Sequence, residues 1–474
     1  MYTYVVLNIC TIFTKYLLIQ TSSSVILPVD LETFESYSRR IRHIHLYSFK
    51  EKVSNHIYIS ITRYISNRHS GFFPALRCFV IHSFNNISEE NLLVLHLILP
   101  SFLSTIDIRN ITDANEIHLA SFLSGIAYLY SSSSTFHPLS FLRLEGTLTM
   151  STLAQLDYFK KLTTLELSLN GTHFPLVILS PLSRLLSLTN FVLRLFNAES
   201  SEKPMVYSFS NLQNLEIRGD ASIALDILQS IYGERLLRVT LELGSYSIAN
   251  LKACIKRCPE MAPHMLFHSI DVYEPIGLPW DMFAPLPNSY QQLRSLTIEP
   301  VALTIQHFCD LFDRARTGFS WPALETLKLQ VYGRAADWFG TDEMVPLSSL
   351  SMLAASCPRL HTLELSLYYP LGEEGDKETE VLTTYIQSSQ LTDHKLTHLE
   401  IVFLDPFVMV PQPGDIMDAI TVSRFIDHIF PNVQNVEISD GFDDVREEWY
   451  AGIQAMMRNY RDVRAAKREL IIAN

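Results

Sequence analysis

One short pattern, apolar-x-x-apolar-x-apolar, recurs fourteen times between residues 41 and 438 and leaves the chain few ways to fold. The copies are IRHIHL (41–46), LRCFVI (76–81), LSTIDI (103–108), LSFLRL (139–144), LTTLEL (162–167), LTNFVL (188–193) and LQNLEI (212–217). They continue as LLRVTL (236–241), FHSIDV (267–272), LRSLTI (293–298), LETLKL (324–329), LHTLEL (360–365), LTHLEI (396–401) and VQNVEI (433–438). Successive starts lie 23 to 37 residues apart. The apolar-x-apolar end of each copy has the period of two expected of a strand. Many copies follow an aromatic residue or Cys and then Pro or Ser, as at Phe73-Pro74, Phe209-Ser210, Trp321-Pro322, Cys357-Pro358 and Phe430-Pro431. Proline ends the preceding helix and favours extended backbone before it. Helix-like stretches fill the gaps, among them 305–315, 347–357 and 380–389. A lone copy cannot bury its apolar face, but stacked copies with strand, helix and parallel strand in turn share one interior.

These features predict an α/β leucine-rich-repeat solenoid over residues 30–441, a horseshoe with a parallel concave sheet and outer helices. Residues 442–474 read as a capping helix. Val445, Trp449, Ile453, Met456, Met457, Tyr460 and Val463 fall at helical spacing. Asp443, Asp444, Glu447 and Glu448 come early, and Arg461, Arg464, Lys467 and Arg468 late, which complements the helix dipole. Residues 1–29 form an apolar N-terminal segment. Its run 4–13 lacks the preceding positive charge of a signal peptide, and Asn8, Lys15 and Gln20 interrupt a membrane span.

The 474 residues are 47% hydrophobic and 18% charged, which excludes a disordered chain. The formal net charge of -13 shows no basic footprint for nucleic acid. Six dispersed cysteines (10, 78, 254, 258, 309, 357) suit a reducing, intracellular setting. No phosphate loop, nucleophile elbow or HExxH occurs, so no enzyme, cofactor or metal site is expected. Cys254 and Cys258, and His43 and His45, read as structural or surface residues rather than ligands.

The units WPALETLKL (321–329) and CPRLHTLEL (357–365), with Phe-Pro before earlier copies, resemble the repeat region of fungal, basidiomycete-type F-box/leucine-rich-repeat proteins. DLETFESYSRRIRHIHL (30–46) is similar to the start of that region. The resemblance implies a substrate-recognition scaffold of a ubiquitin ligase, with an F-box before the repeats that docks on the ligase adaptor. Residues 1–29 do not read as an F-box, so it is expected to be lost or to lie upstream of Met1, and no adaptor-binding residue is carried over. The alternative is a secreted or membrane-tethered receptor or adhesion protein, for which Asn86, Asn110 and Asn170 are candidate glycosylation sites.

Side chains alternate along a strand, so positions 1, 4 and 6 of each copy should enter the core and 3, 5 and 7 should face outward. Position 5 then runs His45, Val80, Asp107, Arg143, Glu166, Val192, Glu216, Thr240, Asp271, Thr297, Lys328, Glu364, Glu400 and Glu437. With Glu242 and Glu299 this predicts a face that turns acidic toward the C-terminus and favours a protein partner with a basic segment. Tyr47, Phe141 and Tyr273 are expected aromatic anchors on that face. Trp338 and Phe339 are candidates on the insert 333–347, and further long inserts are expected at 370–380 and 405–417.

Overall fold

A computed structural model describes residues 38–47, 73–86, 103–132, 139–170, 175–196, 204–244, 247–272, 291–299, 304–312, 321–329, 344–369, 373–389, 393–404, 415–440 and 447–473. The chain forms two compact units, Met1–Arg235 and Leu236–Asn474. In the first, parallel pairing joins β1 (His43–Leu46), β2 (Cys78–Ile81), β3 (Thr105–Ile111), β4 (Phe141–Gly146), β5 (Thr164–Asn170), β6 (Asn190–Phe196) and β8 (Asn214–Gly219) in chain order. In the second it joins β10 (Arg238–Leu243), β11 (Phe267–Val272), β12 (Ser295–Glu299), β13 (Thr326–Leu329), β14 (Thr362–Tyr368), β15 (His398–Leu404) and β16 (Asn435–Asp440). Each copy of the pattern therefore supplies one strand. The fold is the α/β leucine-rich-repeat type that the spacing predicts.

Helices α1 (Asp113–Ser132), α2 (Met150–Ala154), α3 (Leu179–Ser183) and α4 (Ala221–Ser230) connect strands of the first unit. The second contains α5 (Ile248–Met261), α6 (Ile305–Phe312), α7 (Leu350–Ser356), α8 (Glu373–Ser388), α9 (Asp415–Ile429) and α10 (Glu447–Ala473). The expected insert 370–380 is already helical from Glu373, and 405–417 is helical from Asp415. A two-residue pair, β7 (Tyr207–Ser208) with β9 (Ile231–Tyr232), lies beside α3 and α4, and no periodicity announces it.

Burial follows the alternation. Leu324, Leu327 and Leu329 are buried, whereas Glu325, Thr326 and Lys328 are half-exposed. Position 4 is the most enclosed place in the repeat, from Ile44 and Phe79 through Leu142 and Phe191 to Leu363 and Leu399.

The lead-in has a geometric role as well. In many repeats the carbonyl of the residue three before position 1 accepts that position's amide in a tight turn, as in Leu76 to Phe73 (3.0 Å), Leu324 to Trp321 (3.2 Å) and Val433 to Phe430 (3.2 Å). Pro74, Pro322 and Pro431 occupy the second turn position, where a fixed φ costs least. The residue that opens the turn is a buried plug: Phe73, Phe159, Phe209, Trp321, Cys357 and Phe430. Within each unit the strands then begin alike. The amides at positions 2 and 3 both reach the position-2 carbonyl of the preceding repeat, as Thr163 and Thr164 do to Ser140 (both 2.9 Å). Hydroxyls at position 2 add a third donor, for example Thr163 to Ser140 (2.9 Å) and Thr397 to His361 (3.1 Å).

One register departs from expectation. Thr240 faces Ser269 and Ile270 faces Ile298, so the ninth repeat is MLFHSI (265–270) rather than FHSIDV (267–272). His268 stands at position 4, where the other copies carry an apolar residue, and it is fully enclosed. This histidine hides the frame from an apolar count. Burial lowers its pKa to about 4 against a smaller raising contribution from a backbone hydrogen bond with Val239.

A bulge marks the β3–β4 ladder between Ile108 and Ile111. Asn110 there has φ 58°, and Gly146 opposite has φ 137°. A Cβ on Gly146 would collide with the Ile111 backbone carbonyl, so only glycine fits.

Helix α10 packs on β16 and α9 through buried Ile453 and Met457. Arg461 donates to the Gln434 carbonyl (2.8 Å), and Arg464 pairs with Asp427. Val463 is 67% exposed and so leaves the expected apolar stripe. Val445 lies outside the described residues.

Two outcomes are expected. Leu327→Ala should cost about 2–5 kcal/mol in denaturant unfolding, whereas Thr326→Ala beside it should change stability by no more than about 0.5 kcal/mol. His268 is neutral in the folded state but protonates near its ordinary value when unfolded. Its contribution is therefore present above about pH 6.5 and lost as pH falls toward 4, roughly 3 kcal/mol in all. His268→Leu should flatten that part of the stability–pH profile, and an unchanged slope would contradict the assignment.

Candidate functional site: the open sheet faces

Positions 3, 5 and 7 line the open face of each sheet. In the first unit this face neutralises itself. Arg109 binds Asp107 in a fork (2.6 and 3.1 Å). Arg143 reaches Glu145 at 2.8 Å and lies 3.8 Å from both Asp107 and Glu166. Arg194 approaches Glu166 at 3.8 Å, and Arg218 holds Glu216 at 2.6 Å. Four arginines and four carboxylates alternate across five adjacent strands. Position 5 alone does not show this, because Arg109, Arg194 and Arg218 stand at position 7. Asparagines at position 3 add a side-chain ladder, Asn214 to Asn190 to Thr164.

Toward β1 the same face carries rings. Tyr47 is 52% exposed and stacks on His82 with centroids 4.2 Å apart and planes 3° from parallel. His45 Nδ1 lies 3.3 Å from His82 Nε2. Burial, then the neighbouring His43, lowers the His45 pKa; burial, then Arg109, lowers that of His82.

The second unit is different. Its rows 3, 5 and 7 bring six acids, Glu242, Asp271, Glu299, Glu364, Glu400 and Glu437, against Arg238 and Lys328. The register shift at His268 moves Asp271 to position 7, between Glu242 and Glu299. Position 5 there is Thr240, Ser269, Thr297, Lys328, Glu364, Glu400 and Glu437. Lys328 Nζ sits 2.5 Å from Glu364, and Arg238 lies over the Phe267 ring at 4.7 Å. Burial, then the carboxylates of Glu364 and Glu437, pushes the Glu400 pKa up. Glu437 is exposed and borders a hollow of about 340 Å³ between β16 and α10, lined also by Gln454, Arg458 and Arg461.

Of the expected anchors, Tyr47 is exposed and Phe141 half-buried at position 3 of β4. Tyr273, Trp338 and Phe339 lie outside the described residues, as does most of the insert 333–347. At its end Met344, Val345 and Leu347 are buried and Pro346 is half-buried, with bridges from Met344 to Thr304 and from Pro346 to Tyr368. Cys254 and Cys258 are enclosed in α5, which continues through Pro259 to Met261, and burial pushes the Cys258 thiol well up. His398, at position 3 of its repeat and the first residue of β15, is not among the expected site residues. Among the described residues, Glu364, His398 and Glu400 bring ligand atoms within 4.8 Å of one another. The His-x-Glu sequence on one strand with Glu at the paired position on its neighbour was the available signal.

No family model and no curated protein matches the chain. Among solved structures it is similar to the leucine-rich repeat-containing protein LegL7 from Legionella pneumophila, at 12% identity and a TM-score of 0.36, over 82% of this chain and 98% of that one. No helix among the described residues is long and apolar enough to cross a membrane.

Because its folded environment disfavours the charged form, Glu400 subtracts stability as pH rises through its range. In chelator-containing buffer, Glu400→Gln should melt at or above the wild-type temperature near neutral pH. The gap should close below about pH 4, where both side chains are uncharged. A lower melting temperature at neutral pH would refute this.

Proposed function

We propose that the protein is a non-catalytic interaction scaffold whose second-unit sheet face receives a basic segment of a protein partner. The observation that carries the reading is the unbroken run of Glu364, Glu400 and Glu437 in register on β14, β15 and β16. The first unit's acids each lie near an arginine of the same face; in this run Lys328 is the one basic residue of its row. Neighbouring strands lie about 4.8 Å apart, so their backbones present these carboxylates in one close row to a lysine- or arginine-rich segment. Such complementarity speeds encounter and selects against acidic partners. Half-exposed Phe141 and exposed Tyr47 offer apolar contact on the first unit's face.

Within this role, the lead-in turns that resemble those of F-box/leucine-rich-repeat proteins support a place as the substrate-recognition part of a ubiquitin ligase. That part of the reading requires an F-box in the complete protein. Affinity purification from the native source should then recover the ligase adaptor, and a purification without it removes the ligase role.

The binding reading is tested with labelled lysine-rich and glutamate-rich peptides in anisotropy titrations. The basic peptide should bind, more weakly as salt rises. The triple variant Glu364→Lys, Glu400→Lys, Glu437→Lys should lose about tenfold or more in affinity. Equal binding of both peptides, or no effect of charge reversal, would refute the reading.

A further inference from the structure

We infer that Glu364, His398 and Glu400 form a binding site for a first-row transition-metal dication of the zinc type. Each element of the site is set by the ladder. His398 and Glu400 stand two residues apart on β15, so both point to the open face. Glu364 on β14 is the register partner of Glu400, and Thr362 that of His398. One imidazole nitrogen and two carboxylate oxygens thus converge from two adjacent strands, all within 4.8 Å of one another. Three donors bound to one zinc ion at about 2.1 Å stand roughly 3.4 Å apart in tetrahedral geometry. Binding would require the three side chains to draw their donor atoms closer by rotation.

The donor set decides the class of ion. Imidazole favours zinc, copper, iron and nickel, whereas an all-oxygen set would favour magnesium or calcium. Three protein ligands on an open face leave a fourth position for water. The surrounding charge also favours a dication. Glu437 continues the row beyond Glu400, so three carboxylates stand side by side. Lys328 acts in opposition: its ammonium, 2.5 Å from Glu364, occupies one carboxylate oxygen and repels an approaching cation. Removing that ammonium should therefore favour a dication at this site, whereas preference for Zn²⁺ over Ca²⁺ and dependence on His398 separate it from a nonspecific acidic surface.

The site shares Glu364 and Glu400 with the acidic run of the partner reading, but it does not rest on that reading and is tested with no partner present. Full-length protein without a histidine tag, stripped with chelator, is titrated calorimetrically with Zn²⁺ alone and with Ca²⁺ alone. One Zn²⁺ per chain should bind, with Ca²⁺ much weaker. His398→Ala and Glu400→Gln should each weaken Zn²⁺ by about tenfold or more, while His264→Ala, an exposed histidine on another repeat, should not. Lys328→Gln should tighten Zn²⁺ binding. Circular dichroism checks folding, and if His398→Ala misfolds, Glu400→Gln and Lys328→Gln decide. Zn²⁺ binding unchanged by these variants, Ca²⁺ binding of equal strength, or no Zn²⁺ binding up to about millimolar concentration would overturn the site. The peptide titration, run in chelator, still reports separately on the partner reading.

Discussion

Every spatial relation described above rests on the parallel register between consecutive repeats. Two amides of one repeat converge on a single carbonyl of the one before, and a serine or threonine hydroxyl often joins them. Each such bond contributes modestly against water, about 1 kcal/mol. Within each unit their regular recurrence, rather than their strength, keeps position 4 of one copy beside position 4 of the next. A slip of one residue would turn these side chains out to solvent.

The strands were legible because their apolar spacing is a packing requirement. Leucine, isoleucine or phenylalanine at positions 4 and 6 records directly what the core demands. The ninth copy was misframed for the same reason, since His268 meets the demand for volume without being apolar. The lead-in turns were visible as Phe-Pro and Trp-Pro, although proline's part proves to be holding a corner as well as ending a helix. The connecting segments were read less well: Glu373 to Glu380 looks like a polar loop yet forms the first turns of α8, whose apolar face begins only at Val381 and Leu382.

The candidate site was only half legible. Acidity toward the C-terminal repeats follows from residue types and survives the reframing of Asp271. The neutrality of the first unit's face does not, because it arises between positions 5 and 7 on different strands. Arg143 touches carboxylates from three strands, a relation that no linear spacing displays. These pairs are partly buried. Their effect is to remove net charge from one face and leave it on the other. His398 was overlooked in the same way, since a ligand set split between two strands appears only once their register is known.

The buried turn at the head of several strands has one more consequence. Since Phe73, Trp321, Cys357 and Phe430 reset the backbone just before position 1, whatever length of chain precedes them is forgotten by the time the ladder resumes. Connectors can therefore grow, shrink or exchange helix for 3-10 turn over generations without disturbing which side chains meet on the open faces. Outer variation and surface chemistry become independently heritable.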